Sequence, residues 1–181
     1  MFMSALLYLH PSPVLAGQGC CSSHGGADGC AGSGLLCKDG SQSPSCRCAP
    51  NGKHYHLKDD SVKADGLHTK ISDGLGTVGD VWSDNHLPEP VVTSGNDNIH
   101  PGNNHPGTKC GPSDSETDCR STSNSLHYKG KAIDLSDHGM DNEMKKAVVD
   151  ELRRKLGNQY KVGIHNKGTK DEHIHIEYHG D

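Results

Sequence analysis

The chain has 181 residues, which suffice for one domain of ordinary size and a second, smaller one. Only 31% of the residues are hydrophobic and 4% are aromatic, so the core is small and needs support from disulfides or a metal ion. The formal net charge of -5, counted with neutral histidines, excludes the basic surface that nucleic-acid binding requires. We therefore expect no nucleic-acid partner.

Residues 1–16 have the features of a short signal peptide. An apolar stretch leads to Val14-Leu15-Ala16, where small residues offer a cleavage site after Ala16. The stretch is too short to span a bilayer, so we expect no membrane span. This predicts a secreted, periplasmic or cell-wall-associated protein. The alternative is a flexible N-terminal tail, because no Lys or Arg precedes the apolar stretch.

Residues 17–49 contain six of the eight cysteines, spaced by Gly, Ser, Asp and Pro. A segment of this composition cannot bury a core, so we predict a small module held by three disulfides, whose pairing the sequence leaves open. Zinc binding by the thiolates and His24 is the alternative, but an exported chain favours disulfides. The segments CSSHGG and CKDGSQSPSCRC resemble a cysteine-rich module of bacterial secreted proteins. The module either anchors the protein to the cell wall or is a spacer held together by its disulfides.

Residues 50–61 are predicted to form a linker, because they combine Pro, Gly and charged residues without a period. Apolar residues then recur near helical spacing over 62–82. Four glycines weaken this pattern, so we expect a frayed or broken helix that packs Trp82 on a sheet. Val91, Val92 and Thr93 predict a short strand.

A long polar stretch, 96–124, follows this strand and contains Cys110 and Cys119. We predict a disulfide between these two cysteines within a surface insertion. Long irregular loops are often functional, and this one would form a wall of the binding cleft. The alternative is that this stretch is a disordered insertion without function, held by the one disulfide.

Residues 125–134 read SLHYKGKAID and fit the pattern S-x-H-x-x-G-x-A-x-D. The end of this segment predicts a strand in which Ile133 and Leu135 enter the core while Asp134 points to the opposite side. Gly130 permits a tight turn between His127 and that strand.

Residues 141–156 are the best predicted helix, capped by Asp141 and followed by Gly157. A strand is predicted over 160–164. Residues 173–179 read HIHIEYH, and this alternation predicts a strand with one buried face and His175 on the other. If this strand neighbours the one at 132–135, Asp134 and His175 meet across the sheet. The element order predicts an α+β fold, an antiparallel sheet with flanking helices.

His127, Asp134 and His175 are the predicted ligands of one zinc ion. Catalytic zinc sites use three protein ligands and keep a fourth position open for water. Zinc lowers the pKa of that water to about 7. Glu172, three residues before His175, is the predicted base that takes the proton. Either His173 or His100 is predicted to stabilise an oxyanion.

SLHYKGKAID with the later EHIH at 172–175 resembles the zinc peptidases that include D-alanyl-D-alanine carboxypeptidases and dipeptidases, phage endolysins and the signalling domain of hedgehog proteins. The resemblance covers roughly residues 62–181. It implies zinc binding by His127, Asp134 and His175, and a general base at Glu172. It also implies that His173 lies beside the metal without binding it, and the hedgehog-like members imply that His100 faces the site.

Two departures from this family pattern bear on function. Many peptidase members carry an Arg just after the TSG segment to hold a substrate carboxylate, but Asn96, Asp97 and Asn98 stand here. This weakens the case for carboxypeptidase or dipeptidase action and leaves endopeptidase action open. Ser94 stands where hedgehog-like members have an acidic calcium ligand, so we predict no calcium.

The sequence thus predicts a zinc-dependent peptidase that hydrolyses peptidoglycan stem peptides, acts as a monomer and occupies residues 62–181. The first alternative is a non-catalytic hedgehog-like zinc domain that binds peptide or glycan. The second is metal sequestration by the 14 histidines.

Overall fold

The computed structural model describes residues 20–96 and 126–181. The predicted leader at 1–16, His100 and the pair Cys110 and Cys119 lie outside these residues. The described chain is a mixed α+β structure with one large, mostly antiparallel sheet and two α-helices, as the sequence predicts at this level. Neither described helix is long and apolar enough to cross a membrane.

The sheet has eight strands in the spatial order β1-β2-β3-β4-β5-β6-β8-β7. All neighbours pair antiparallel except β4 and β5, which are parallel. The elements in chain order are β1 Ala27–Ala31, β2 Gly34–Cys37, β3 Gln42–Cys48, β4 His54–Leu57, α1 Thr69–Asp84, β5 Val91–Ser94, β6 Ala132–Leu135, α2 Asn142–Leu156, β7 Tyr160–His165 and β8 His173–Tyr178.

Three disulfides hold the N-terminal strands, and they join Cys20 to Cys46, Cys21 to Cys37 and Cys30 to Cys48. Leu35 is the one large aliphatic side chain fully buried among them. The prediction that these six cysteines form disulfides is confirmed. The zinc alternative that involved His24 is not supported, because the six cysteines are paired and no group of potential ligands among the described residues includes His24.

Strand β4 lies inside the segment that we expected to be an irregular linker. Its residues alternate, so Tyr55 and Leu57 enter the core while His54 and His56 face the other way. Two histidines in four residues obscured this alternation in the sequence. Because β4 pairs with β3 and with β5, one continuous sheet joins the disulfide-rich strands to the rest of the chain.

Helix α1 is continuous over 16 residues, and the expectation of a broken helix is corrected. Its glycines are sites of close packing. A Cβ atom at Gly79 would lie 2.6 Å from Lys53 Cβ, so the chain before β4 packs directly on the helix backbone. Trp82 is buried in the core, as predicted.

Helix α2 begins and ends as predicted. The side chain of Asp141 accepts a hydrogen bond from Met144 N at 2.8 Å, and Gly157 follows the last turn. Val148 and Leu152 are fully buried against the sheet and α1.

The turn before β6 depends on Gly130. Its φ is +65°, and a Cβ atom there would lie 2.7 Å from the carbonyl oxygen of Gly66. Gly130 N donates to His127 O at 2.9 Å, so this turn fixes the backbone of His127 relative to β6.

We predict that Gly130→Ala lowers the free energy of unfolding by about 2–3 kcal/mol, because it adds both backbone strain and a backbone clash. Chemical denaturation measures this loss. Gly139→Ala is the matched control: its φ is +84°, but nothing lies within 4 Å of a Cβ atom there. In Gly139→Ala the free energy of unfolding should fall by only about 1 kcal/mol. Equal losses in the two variants would contradict the role of the close contact at Gly66.

Candidate metal site

Three side chains predicted to bind zinc converge in the structure. His127 Nε2 lies 3.4 Å from Asp134 Oδ1 and 3.4 Å from His175 Nδ1, and His175 Nδ1 lies 2.7 Å from Asp134 Oδ1. The three side chains are between 10% and 16% exposed, so the cluster is largely shielded from solvent. They form a group whose donor atoms are close enough to hold one metal ion.

The sheet register produces this convergence. Asp134 on β6 and His175 on β8 are direct cross-strand partners. Residues directly opposite each other in an antiparallel pair project to the same face, with Cβ atoms about 5 Å apart. The flanking residues Ile133, Ile174 and Ile176 point to the opposite face and are buried, which fixes the register.

His127 is oriented by contacts to its other ring nitrogen. Nδ1 lies 3.2 Å from Gly95 O and 3.2 Å from Ser94 Oγ. A carbonyl oxygen only accepts, so the contact with Gly95 assigns the ring proton to Nδ1. Nε2 then carries the lone pair that faces Asp134 and His175.

His175 is oriented in the same manner by Glu177. His175 Nε2 lies 3.2 Å from Glu177 Oε2, so this nitrogen can keep a proton while Nδ1, which lies 2.7 Å from Asp134 Oδ1, gives its lone pair to a bound ion. The pKa of Glu177 is lowered to about 2: burial raises it, but hydrogen bonds from His179, Lys161 and His175 outweigh burial. The ionised carboxylate therefore holds the imidazole in one tautomer, as carboxylate groups do behind metal-binding histidines.

The donor set fits a divalent cation. Two imidazole lone pairs and a carboxylate oxygen face one another, and such donors repel unless a proton or a cation lies between them. Burial raises the pKa of Asp134, but protons shared with His127 and His175 outweigh this and lower it, so the carboxylate stays charged, and a bound cation would replace those protons. Tetrahedral zinc separates nitrogen and oxygen ligands by about 3.3 Å. The two distances from His127 Nε2, to Asp134 Oδ1 and to His175 Nδ1, match this separation. The distance of 2.7 Å between His175 Nδ1 and Asp134 Oδ1 must increase by about 0.6 Å.

His173 lies beside this cluster. Its Nδ1 lies 2.8 Å from Asp171 O and its Nε2 lies 3.4 Å from Asp134 Oδ1. His165, His173 and His175 form a second group of potential ligands. The rings of His165 and His175 are stacked, however, with centroids 4.4 Å apart and planes 14° apart. In-plane lone pairs of nearly parallel rings do not converge on one ion, so His165 supports the His175 ring by stacking.

The remaining groups of potential ligands are Cys20, Cys46 and His56, and Cys30, Cys48 and His54. In both groups the cysteines form a disulfide. A disulfide sulfur is not a thiolate, and the thiolate is the metal ligand. Among the described residues, His127, Asp134 and His175 are therefore the group best suited to hold a metal.

Glu172 lies in the same cleft, but its carboxylate is held by other residues. Lys145 Nζ and Gly168 N both donate to it. Hydrogen bonds from Lys145 and Gly168 lower the pKa of Glu172 to about 2. Lys145 also contacts Asp137 Oδ2 at 2.7 Å, and the two carboxylates raise the pKa of Lys145. A base of such low pKa is weak, so proton transfer requires Glu172 to leave Lys145.

An open cleft of about 850 Å³ connects the metal cluster to the predicted base. Polar and charged side chains dominate its walls, and they include Ser94, Asp134, His173, Asp137, Lys145 and Glu172.

His100, predicted to face the site, lies outside the described residues. Sequence reasoning gave no role to Glu177 or Lys145. The alternation in HIHIEYH does place Glu177 on the same face as His175, two residues away, and this signal was sufficient to find it. No local pattern links Lys145 to Glu172, because they belong to α2 and to the loop before β8.

Comparisons with known protein families, with characterised proteins and with solved structures found no match to this chain.

We predict that His127→Ala, Asp134→Ala and His175→Ala each weaken zinc binding by more than about 100-fold, which exceeds the loss typical of a supporting hydrogen bond. Competition with a chromogenic chelator measures the affinity. His86→Asn is the matched control, because His86 is an exposed histidine at the end of α1 with a positive φ that Asn tolerates. Loss of binding in the control, or its retention in the three variants, would contradict the site.

Glu177→Gln should weaken zinc binding by about 10–100-fold, because the amide holds the His175 ring less firmly than the carboxylate. Isothermal titration with zinc measures the change. Glu143→Gln removes an exposed carboxylate from the first turn of α2 and should leave the affinity unchanged. Wild-type affinity in Glu177→Gln would show that this carboxylate does not orient the ligand.

Proposed function

We propose that this protein is a secreted zinc metallopeptidase that hydrolyses peptide bonds of bacterial cell-wall peptidoglycan. The observation that carries the proposal is the convergence of His127 Nε2, Asp134 Oδ1 and His175 Nδ1, with one oriented lone pair on each imidazole. A zinc ion bound there supplies a Lewis acid that activates water and a peptide carbonyl. The zinc peptidase resemblance of residues 125–134 and 172–175 supports the substrate class.

The protein side chains have distinct roles in this proposal. His127, Asp134 and His175 bind the ion, and Glu177, Ser94 and Gly95 orient the two imidazoles. Three protein donors leave space in a tetrahedral site, as catalytic zinc sites require. The cleft beside Asp134 and His173 is where the scissile peptide would lie.

Glu172 is the proposed general base, and Lys145 controls it. In the resting arrangement Lys145 holds the Glu172 carboxylate and keeps its pKa low. General bases work best when their pKa lies near the working pH. Substrate that separates Glu172 from Lys145 would raise this pKa and free an oxygen atom to accept a proton. The Nδ1–H of His173 donates to the carbonyl of Asp171, and Nε2 faces the cleft; His173 would stabilise an oxyanion as the imidazolium, which carries a proton on both nitrogens.

Export is supported by the three disulfides, which are typical of proteins in oxidising compartments. Attachment to the cell wall would be a function of the strands that these disulfides hold.

A non-catalytic, hedgehog-like zinc domain that binds peptide or glycan is the second candidate. The observation that favours it is the restrained state of Glu172, since a carboxylate held by a lysine and a backbone N–H is a poor base. The two candidates share the metal and the cleft, and they differ in whether new peptide termini are released.

For the enzyme, Glu172→Gln should retain zinc but reduce hydrolysis by about 10²–10⁴-fold, because the amide cannot accept the proton. Mass spectrometry of digested peptidoglycan fragments measures the released termini, and a chelator should abolish them in the wild type. Glu143→Gln, an exposed carboxylate at the start of α2, is the matched control and should digest at the wild-type rate.

Full activity in Glu172→Gln would remove Glu172 from its role as base. Zinc binding without any new termini in the wild type would favour the non-catalytic domain over the peptidase.

A further inference from the structure

A second cluster of metal-binding side chains lies where the disulfide-rich strands meet β4 and β5. His56 Nε2 lies 3.3 Å from Cys20 Sγ, 3.6 Å from Cys46 Sγ and 3.1 Å from Glu89 Oε2. This cluster, Cys20, Cys46, His56 and Glu89, is separate from the site that contains His127. The zinc peptidase proposal assigns it no role.

The distances match the edges of a zinc site. Bond lengths of about 2.3 Å to sulfur and 2.0–2.1 Å to nitrogen or oxygen separate tetrahedral sulfur and nitrogen ligands by about 3.6 Å, and nitrogen and oxygen ligands by about 3.3 Å. His56 Nε2 already stands at suitable distances from both sulfurs and from the carboxylate, but Cys46 Sγ lies closer to His56 Nδ1, at 3.3 Å, so the ring must turn. The two sulfur atoms must separate, to about 3.8 Å in a tetrahedral site, and the Glu89 carboxylate must approach both of them.

The backbone positions these residues independently of the disulfide. Cys46 and His56 are direct partners between β3 and β4. His56 N donates to Pro90 O at 2.8 Å, which places Glu89 beside His56. Cys20 N lies 3.4 Å from Glu89 Oε2, so the carboxylate also holds the fourth member.

Charge and access also suit a cation. The hydrogen bond with His56 lowers the pKa of Glu89, so the carboxylate is ionised at neutral pH. Cys46 is fully buried and Cys20 is 7% exposed, whereas the side chains of His56 and Glu89 are 20% and 34% exposed. An ion would therefore approach from the side of the imidazole and the carboxylate.

We propose that Cys20, Cys46, His56 and Glu89 form a redox-gated zinc site, which the disulfide closes and reduction opens. An external dithiol gives up its two S–H bonds and forms its own disulfide, while the Cys20–Cys46 bond breaks and each sulfur takes one proton. Zinc then displaces both protons to solvent and binds the two thiolates, His56 and Glu89. In the opposite direction, an external disulfide takes the two electrons and two protons from solvent and becomes a dithiol, while the Cys20–Cys46 bond re-forms and releases the ion.

The test uses the full-length chain, reduced under anaerobic conditions by a water-soluble phosphine, which takes up the oxygen of one water molecule for each disulfide cleaved. Iodoacetamide then labels the thiols with and without zinc, and mass spectrometry reads each cysteine separately. Zinc should slow labelling of Cys20 and Cys46 by about tenfold or more, because bound thiolates are shielded. Labelling of Cys21 and Cys37 should change by less than about twofold, because no histidine group includes them.

Two variants and one control identify the ligands. His56→Ala and Glu89→Gln should each remove most of the protection at Cys20 and Cys46. His54→Ala is the matched control, since His54 lies on the same strand and its Nδ1 lies 3.7 Å from Glu89 Oε1, but it faces the Cys30–Cys48 pair. His54→Ala should keep the protection.

Four results would overturn the proposal. In the first two, zinc leaves the labelling rates of Cys20 and Cys46 unchanged, or it slows the labelling of all the thiols equally. In the other two, zinc still protects Cys20 and Cys46 in His56→Ala, or it no longer protects them in His54→Ala. A reduced chain that unfolds would give one of the first two results. None of these readouts depends on the cluster of His127, Asp134 and His175.

Discussion

The candidate metal site depends on the cross-strand pair of Asp134 and His175. Their direct opposition between β6 and β8 places a carboxylate and an imidazole on the same face of the sheet. Buried isoleucines on the other face hold this register, because a slip of one residue would turn them outward and break both the core and the site. The hydrophobic core thus determines the geometry of the polar cluster. His127 completes the cluster through the turn at Gly130, whose backbone conformation and close contact with Gly66 favour glycine.

Charge organisation follows from that geometry. The two candidate metal-binding histidines are oriented by hydrogen-bond acceptors, the Gly95 carbonyl for His127 and the Glu177 carboxylate for His175, so the other ring nitrogen of each faces Asp134. The Glu172 carboxylate, in contrast, forms an ion pair with Lys145, which balances its charge in the resting state. A cleft with a ready metal site and a restrained base is consistent with an enzyme that acts only on a substrate able to compete for Lys145. It is equally the arrangement expected of a binding domain, and only release of peptide termini separates the two.

Much of this structure follows from local sequence patterns. Alternation predicted β6 and β8, helical spacing and a capping Asp141 predicted α2, and the opposition of Asp134 and His175 followed from their places in two strands. The rest depended on contacts between distant segments. Strand β4 was missed because its outward positions are histidines, and α1 was expected to break because its glycines pack against another segment. The restraint of Glu172 by Lys145 arises from tertiary packing, which no short pattern encodes.

Anomalous diffraction at the zinc absorption edge, from crystals of the oxidised protein grown with one equivalent of zinc, tests the central claim most directly. A single strong peak within bonding distance of His127 Nε2, Asp134 Oδ1 and His175 Nδ1 is the predicted result. A peak elsewhere in the chain, or zinc bound without Asp134, would contradict the account.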